Sequence, residues 1–284
     1  MNIMPLSVKK MLVTAGIMCA AISSVAQADL LDEIKEKGEI VIATEARYAP
    51  FEMLQDGKIV GYGKDILDEI MKQLPGVKLK QLDLPFQGIL AGLNTKRYDF
   101  VATSLTISKA RADNYAFTYP ISTAAVAMLK RKGDERITKP EDMAGMVIGT
   151  QAGSVQLNAI KSFEEKKLTP NGEGYKAIKE FTDYNEAYAA LASRRVDVVP
   201  QAIPNLAPIV KQRPDMFEIV QPPFGPATYY AWVGRKDAES ASLVQFFSDG
   251  IEQLHQSGKL AELQQKWFGF TMDIPTGSVP APLY

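Results

Sequence analysis

The alternation of strand and helix patterns along residues 29–284 limits the possible folds more than any other feature of the sequence. Short apolar runs rich in Val and Ile alternate with segments whose apolar residues recur every three or four positions. Strands that are separated by helices pair in parallel, because the helix carries the chain back to the start of the sheet. The pattern therefore predicts an α/β fold with largely parallel sheets.

Two apolar β-runs, residues 121–131 and 227–233, bracket the middle of the chain. The residues between them form a βα series of their own. This layout predicts two lobes joined by two crossing strands, with the last helices returning to the first lobe. We assign 29–125 and 229–284 to lobe 1, and 126–228 to lobe 2.

Residues 1–28 have the pattern of a signal peptide. Lys9 and Lys10 precede an apolar run that ends in the small-x-small triplet Ala26-Gln27-Ala28. The run is short for a membrane span, which needs about 20 apolar residues. The pattern predicts cleavage after Ala28 and an exported mature protein.

Composition excludes several classes of function. Cys19, the only cysteine, lies in the signal peptide, so the mature chain has no disulfide and no thiolate nucleophile. His255 is the only histidine, so a histidine-based catalytic or metal site lacks a second member. Without Lys9 and Lys10, 30 basic residues face 33 acidic ones, a net charge of −3, and no basic stripe indicates nucleic-acid binding. We therefore predict no metal, no cofactor and no nucleic-acid partner.

A candidate cleft follows from the predicted topology. In open α/β sheets, ligands bind beyond the carboxyl ends of the strands. The segments that follow predicted strands, and would meet there, are residues 45–48, 104–111, 153–155 and 200–202.

Arg111 gives the clearest chemical signal among these segments. Thr103, Ser104 and Thr106 follow a strand predicted to end at Ala102, and Arg111 comes shortly after them. A guanidinium matches a carboxylate in two parallel hydrogen bonds, and the hydroxyls could complete the shell around such an anion. On spacing alone, a strand, a Ser/Thr-rich turn and a helix carrying a solvated Arg is the favoured explanation of the same residues, since capped turns and surface ion pairs are common.

A series of motifs resembles the polar-amino-acid-binding proteins of bacterial ABC importers, which form solute-binding protein family 3. The matching segments are Arg-Tyr-Ala-Pro-Phe-Glu at 47–52, Gly-Lys-Ile-Val-Gly-Tyr at 57–62 with Asp65, Thr-Ser-Leu-Thr-Ile-Ser at 103–108 with Arg111, Phe-Thr-Tyr-Pro at 117–120, Gln-Ala-Gly-Ser at 151–154 and Lys-Trp-Phe-Gly at 266–269. The resemblance covers essentially the whole mature chain. It implies a two-lobed periplasmic-binding-protein-like fold of type II, with the two crossing strands as its hinge.

The resemblance also implies roles for single residues. Arg111 would hold the α-carboxylate of the ligand, and Ser154 would begin a helix whose N-terminal amides reach the same group from the second lobe. Tyr48 would pack on the body of the ligand, and Glu45 would lie at the mouth of the cleft. The predicted ligand-binding residues are Glu45, Tyr48, Phe86, Thr103, Ser104, Thr106, Arg111, Ser154, Val155 and Ala202.

Two positions depart from the pattern of the family. Val155 stands where members usually have a second hydroxyl, and Ala202 stands where they have the Asp that binds the ligand ammonium. A buried ammonium without a carboxylate would cost several kcal/mol. Either Glu45 or another acid takes this role, or the ligand is an N-substituted amino acid, an opine-like compound or another carboxylate.

The resemblance implies a non-enzymatic receptor in the periplasm. We expect a monomer that captures a small carboxylate-bearing solute, an amino acid or a derivative of one, by hinge closure and delivers it to a membrane ABC permease. The alternative is a periplasmic enzyme on the same scaffold, similar to the cyclohexadienyl (arogenate or prephenate) dehydratases. Glu45 is the only obvious candidate for the general acid that such a reaction needs.

Overall fold

The structure of the protein, a computed structural model, describes Met1 and residues 29–283. Apart from Met1, the predicted signal peptide lies outside the described residues, and its cleavage after Ala28 stays a prediction. Within the described part, no helix is both long and apolar enough to cross a membrane.

The helices and strands alternate along the chain as the sequence predicts. The helices are α1 (Leu30–Lys37), α2 (Tyr62–Met71), α3 (Ile89–Asn94), α4 (Lys109–Ala112), α5 (Val155–Phe163), α6 (Tyr184–Ala192), α7 (Ile203–Gln212), α8 (Ala241–Gln256) and α9 (Lys259–Phe268). The strands are β1 (Glu39–Thr44), β2 (Arg47–Tyr48), β3 (Glu52–Gln55), β4 (Lys58–Val60), β5 (Lys78–Asp83), β6 (Phe100–Thr106), β7 (Tyr115–Phe117), β8 (Ser122–Thr123), β9 (Val126–Arg131), β10 (Val147–Gln151), β11 (Ala177–Phe181), β12 (Val198–Ala202), β13 (Phe217–Phe224) and β14 (Tyr229–Arg235).

Local capping explains where the first of these elements begins and ends. The Asp29 carboxylate accepts hydrogen bonds from the N–H groups of Leu31 (2.9 Å) and Asp32 (3.2 Å), which have no partner inside α1. Gly38 ends α1 in the left-handed conformation with φ 70°, which glycine adopts without a steric penalty. The predicted helix ending at Gly38 is confirmed.

Two larger sheets form the framework. The first has the order β5-β1-β6-β14-β7, with β8 beside β14, and the second has the order β11-β10-β12-β9-β13. In each sheet three strands pair in parallel, and the other strands are added through antiparallel pairings. In the first sheet β14 pairs antiparallel with β6, β7 and β8, and in the second sheet β9 pairs antiparallel with β12 and β13. A small antiparallel sheet, β2-β3-β4, contains the hairpin predicted around Asp56-Gly57.

The chain crosses between the two larger sheets twice. The sequence predicts one strand over 121–131, but the structure divides it into β8 in the first sheet and β9 in the second. The division falls at Ala125, whose carbonyl accepts a hydrogen bond from the N–H of Ile203 (3.0 Å) at the start of α7 rather than from a neighbouring strand. The return crossing lies between Phe224 and Tyr229. The lobe boundaries that we assigned from these crossings stay a prediction.

Two elements differ from the sequence prediction in ways that affect the cleft. The strand predicted to end at Ala102 continues as β6 to Thr106, because β14 pairs with its last residues, Tyr230 opposite Thr106. The helix predicted from Phe86 begins only at Ile89, after Gly88 with φ 88°. Residues 103–106 therefore lie in a strand rather than a turn, and Phe86 lies in the loop before α3.

Helix α8 packs on the first sheet and α9 packs on α2 and α8, so the C-terminal helices return to the first lobe as predicted. The rings of Phe100 on β6 and Phe247 on α8 stack with centroids 4.3 Å apart, and both side chains are fully buried. The Asp65 carboxylate on α2 accepts hydrogen bonds from Lys266 Nζ (2.6 Å) and Trp267 Nε1 (2.7 Å) on α9. Two of the family motifs thus join α2 to α9 and help hold the first lobe together.

The aromatic stack predicts a large loss of stability when Phe247 is removed. We expect Phe247→Ala to lower the free energy of unfolding by about 3–5 kcal/mol, because it leaves a cavity against Phe100. Phe246→Ala is the matched control, and we expect it to cost less than half as much because Phe246 is only half-buried. Urea denaturation followed by circular dichroism measures both values; equal losses would contradict this assignment of the core.

Candidate functional site

A small cavity lies between the lobes at the carboxyl ends of the parallel strands. Only about 10 Å³ of it is open to the centre of a water molecule, so the side chains of its wall leave little free space between them. Its wall consists of Glu45, Tyr48, Phe86, Ser104, Thr106 and Arg111 from the first lobe, and Gln151, Ser154, Val155 and Gln156 from the second. The structure thus brings together all the predicted ligand-binding residues except Thr103 and Ala202.

Arg111 is a cation without a counter-ion in the described part of the chain. Its Nη1 donates a hydrogen bond to the Thr106 carbonyl (3.2 Å), and its Nη2 donates one to the Gly153 carbonyl across the cleft (3.4 Å). The guanidinium carbon lies 5.5 Å from the centre of the Phe86 ring. Burial lowers the pKa of Arg111 to about 10, so the group stays charged at pH 7. Among the described residues no carboxylate pairs with it, which makes this side of the cavity a site for an anion.

The pleat of β6 decides which hydroxyls reach the cavity. Successive side chains of a strand point to opposite faces, so Ser104 and Thr106 share one face and Thr103 takes the other. Ser104 and Thr106 line the cavity, whereas the Thr103 hydroxyl accepts a hydrogen bond from the N–H of Glu45 (3.4 Å). Thr103 therefore supports the segment that carries Glu45.

The second lobe contributes the start of a helix. Ser154 is the N-cap of α5, and its Oγ accepts a hydrogen bond from the N–H of Leu157 (3.2 Å). Val155 is the first residue of α5 and lies in the cavity wall. Gly153, with φ 73°, turns the chain so that its carbonyl meets Arg111.

Glu45 is a carboxyl group with no cation paired to it within residues 29–283. Its side chain is only 2% exposed, and its one hydrogen-bond partner among the described residues is Gln151 Nε2, at 2.6 Å across the cleft. Burial raises the pKa of Glu45 to about 8, while the hydrogen bond from Gln151 opposes this shift. Arg47, the nearest basic residue in sequence, instead pairs with Asp83 (3.1 Å). Glu45 is therefore largely neutral at pH 7 unless a cation enters the cavity.

A network of uncharged polar side chains lies beside the cavity. The Tyr48 hydroxyl lies 2.6 Å from the Tyr230 hydroxyl, to which it can donate its hydrogen, and the Gln201 carbonyl oxygen accepts a hydrogen bond from Gln156 Nε2 (2.8 Å). The Tyr48 hydroxyl also lies 3.3 Å from that carbonyl oxygen. The Tyr230 hydroxyl donates to Asn205 Oδ1 (3.2 Å). These contacts join both lobes, and none of the five groups carries a charge at pH 7.

Ala202, at the end of β12, is fully buried and does not reach the cavity wall. Its N–H donates to its neighbour Gln201 (2.7 Å). The neighbouring polar side chains, Gln201 and Asn205, are amides. Near this position the structure therefore has neutral groups instead of a carboxylate for an ammonium.

Sequence reasoning missed two residues of the cavity wall, Gln151 and Gln156. Gln151 could have been found, since it ends β10 at the same sheet edge as the other predicted residues. Gln156 lies inside the first turn of α5, where only the direction of the helix brings it to the cavity, and the sequence carries no signal for that.

Further contacts close the lobes over the cavity. Gln87 Nε2 donates to the carbonyls of Ala152 (3.4 Å) and Thr182 (3.1 Å), and Asn205 Nδ2 donates to the carbonyl of Ala49 (3.0 Å). Most of these bonds use a flexible side chain on one side and a backbone carbonyl on the other. Such contacts are individually weak and can break when the lobes separate.

Comparison with known proteins identifies the family. The model of the bacterial extracellular solute-binding proteins, family 3, matches residues 40–270. The L-cystine-binding protein TcyJ of Escherichia coli K12 is 28% identical over 253 residues, which cover 88% of this chain and 90% of that protein. A mutant of ArgBP from T. maritima is 29% identical with a TM-score of 0.74, covering 84% of this chain and 99% of that one. The ancestral amino acid-binding protein AncCDT-1, a precursor of cyclohexadienyl dehydratase, is 26% identical with a TM-score of 0.73, with the same coverage.

These matches confirm the type II two-lobed fold and the family predicted from the motifs. The chain belongs to the bacterial extracellular solute-binding proteins, family 3.

Proposed function

We propose that this protein is the solute-binding component of an amino-acid ABC importer. It acts as a monomer outside the cytoplasmic membrane, in the periplasm, captures an α-amino acid or a derivative between its lobes, and delivers it to the permease. The observation that carries this proposal is that the one basic and the one carboxylic side chain in the cavity wall, Arg111 and Glu45, both lack an ion partner among the described residues. A zwitterion supplies both partners.

The carboxylate half of the site centres on Arg111. Within the first lobe its guanidinium donates to the Thr106 carbonyl and lies over the Phe86 ring, and these contacts position it before the lobes close. The Gly153 carbonyl adds a contact from the second lobe on closure. The N-terminal amides of α5 favour the same negative charge from the opposite lobe. A carboxylate in this place pairs with a half-buried cation that has only neutral contacts among the described residues.

In the half of the site that would bind the ligand ammonium, Glu45 supplies the negative charge, because Ala202 has none. A ligand cation beside Glu45 would stabilise the ionised carboxylate and lower its pKa from about 8. The uncharged network around Tyr48 and Tyr230 then faces the rest of the ligand, which favours a side chain that is polar but not cationic. The relatives named for L-cystine and the structures named as amino acid-binding proteins support this ligand class.

The contacts of Glu45 and Arg111 also explain why a ligand would favour closure of the two lobes. Glu45 and Gln151 lie on different lobes, as do Arg111 and Gly153, so the cavity exists only when the lobes meet. A ligand that bridges both lobes binds the closed form more tightly than the open one and shifts the population toward it.

An enzymatic function is the second candidate. Glu45 is a buried carboxyl that keeps its proton at neutral pH, as a general acid must, and the ancestral AncCDT-1 preceded a dehydratase on this scaffold. The test is incubation of the purified protein with prephenate and with arogenate. Formation of phenylpyruvate or phenylalanine, lost in Glu45→Gln, would establish the enzyme.

We predict that Arg111→Ala abolishes ligand binding. A panel of the standard L-amino acids and L-cystine, tested by thermal shift, should contain at least one ligand that raises the melting temperature of the wild type. Removing the charge-assisted hydrogen bonds of Arg111 should weaken that ligand by about 100-fold, or about 3 kcal/mol. Lys109→Ala is the matched control, since Lys109 lies exposed on the same short helix. Unchanged binding by Arg111→Ala would refute the assignment.

We predict that binding of an ammonium-bearing ligand tightens as the pH rises from 6 to 8. In the closed arrangement Glu45 must release a proton to pair with the ammonium, and release becomes easier as the pH approaches about 8. If one proton is released for each ligand bound, the affinity changes by at most about tenfold per pH unit. Isothermal titration calorimetry in buffers of different ionisation enthalpy counts the proton, and Glu45→Gln should remove both the pH dependence and the proton release. If the affinity of Glu45→Gln still changed with pH, another group would be responsible for the pH dependence.

A further inference from the structure

Glu52 is a buried acid next to the binding cavity that the proposed function leaves unexplained. It is the first residue of β3 and fully buried. Its Oε1 lies 3.0 Å from Ser104 Oγ, and its Oε2 lies 3.3 Å from Ser104 N. These are its only hydrogen-bond contacts among the described residues, and no cation lies within ion-pair distance there.

The space for this carboxyl is made by a glycine. Gly63 lies in the first turn of α2, and a Cβ atom at this position would be 2.1 Å from Glu52 Oε1. The carboxyl group is thereby held between α2 and β6, and both of its oxygens meet one residue of the cavity wall.

The surroundings of Glu52 favour the neutral acid. An ionised carboxylate without a cation would lose most of its solvation at this depth. Burial raises the pKa of Glu52 well above its ordinary value, and the nearby Glu45 raises it further, although the bonds from Ser104 act in the opposite direction. The two partners also suit a carboxylic acid, since the Ser104 N–H can only donate whereas its hydroxyl can accept.

We propose that Glu52 is a positioning residue that makes the Ser104 hydroxyl a hydrogen-bond donor toward the ligand. The Glu52 O–H donates to Ser104 Oγ, and the Glu52 carbonyl oxygen accepts from the Ser104 N–H. The Ser104 hydroxyl hydrogen is then free to point into the cavity, at a carboxylate oxygen or another acceptor of the ligand. An ionised Glu52 would have the opposite effect, because it would take that hydrogen and leave only lone pairs facing the ligand.

This inference rests on the proposed function and adds to it a rule for the ligand. Ser104 is only 6% exposed and lines the same cavity as Arg111. With Ser104 as a donor, this wall prefers a ligand that presents acceptor atoms, in agreement with the unpaired cation of Arg111. Glu52 thus makes the Ser104 hydroxyl a donor although Glu52 itself does not contact the ligand.

The test compares Glu52→Gln with Glu52→Leu, using the ligand that binds most tightly in the panel of standard L-amino acids and L-cystine. The amide of Gln repeats the pattern of the neutral acid, since its oxygen accepts from Ser104 N–H and its NH2 donates to Ser104 Oγ. We expect Glu52→Gln to keep the Kd within about threefold of the wild type. Glu52→Leu and Ser104→Ala should each weaken binding by about tenfold, and combining them should add nothing further. A loss in Glu52→Gln as large as in Glu52→Leu would overturn the proposal.

A second measurement does not depend on binding and keeps the proposal testable if Glu52→Leu fails to fold. The 13C chemical shift of the Glu52 carboxyl, assigned by its disappearance in Glu52→Gln, reports the protonation state in the wild type. The proposal requires a neutral carboxyl at pH 7, and an ionised one overturns it. If no member of the panel binds the wild type, the proposed function fails, and this measurement alone decides the state of Glu52.

Discussion

The pairing of β6 with β1 on one side and β14 on the other positions most of the binding region. Every residue of β6 is buried, and three of its last four residues, Thr103, Ser104 and Thr106, contact groups of the binding region. Thr103 supports Glu45, Ser104 meets Glu52, and the Thr106 carbonyl fixes Arg111. The backbone hydrogen bonds of the sheet therefore determine the geometry of ionisable groups that do not bond to one another.

Unpaired charge couples binding to closure. Bringing the lobes together removes Arg111 and Glu45 from water without giving either an ion partner among the described residues, which costs free energy. The lobe-to-lobe hydrogen bonds offset part of this cost. A zwitterionic ligand removes it by pairing with both groups, so closure over a ligand is favoured over closure without one.

The sequence predicted the family, the two-lobed α/β fold and most of the residues that line the cavity, because ordered motifs and strand ends can be read from it. Thr103 could not be separated from Ser104, since the prediction ended the strand at Ala102 and only the pairing of Tyr230 with Thr106 extends it. Gln156 depends on the direction of α5, which is a tertiary property. Glu52 was visible only as part of a motif, and its role depends on burial that no local pattern encodes.

The uncharged network of Tyr48, Tyr230, Gln156, Gln201 and Asn205 has a consequence for ionic strength. Mobile ions screen the attraction between Arg111 and the carboxylate of a ligand, but they have little effect on hydrogen bonds between neutral groups. Salt would therefore weaken this ion pair while leaving the neutral contacts between the lobes unchanged. Changes in the ionic strength outside the cell would therefore act on the contact between Arg111 and the ligand, but not on the neutral hydrogen bonds that hold the lobes together.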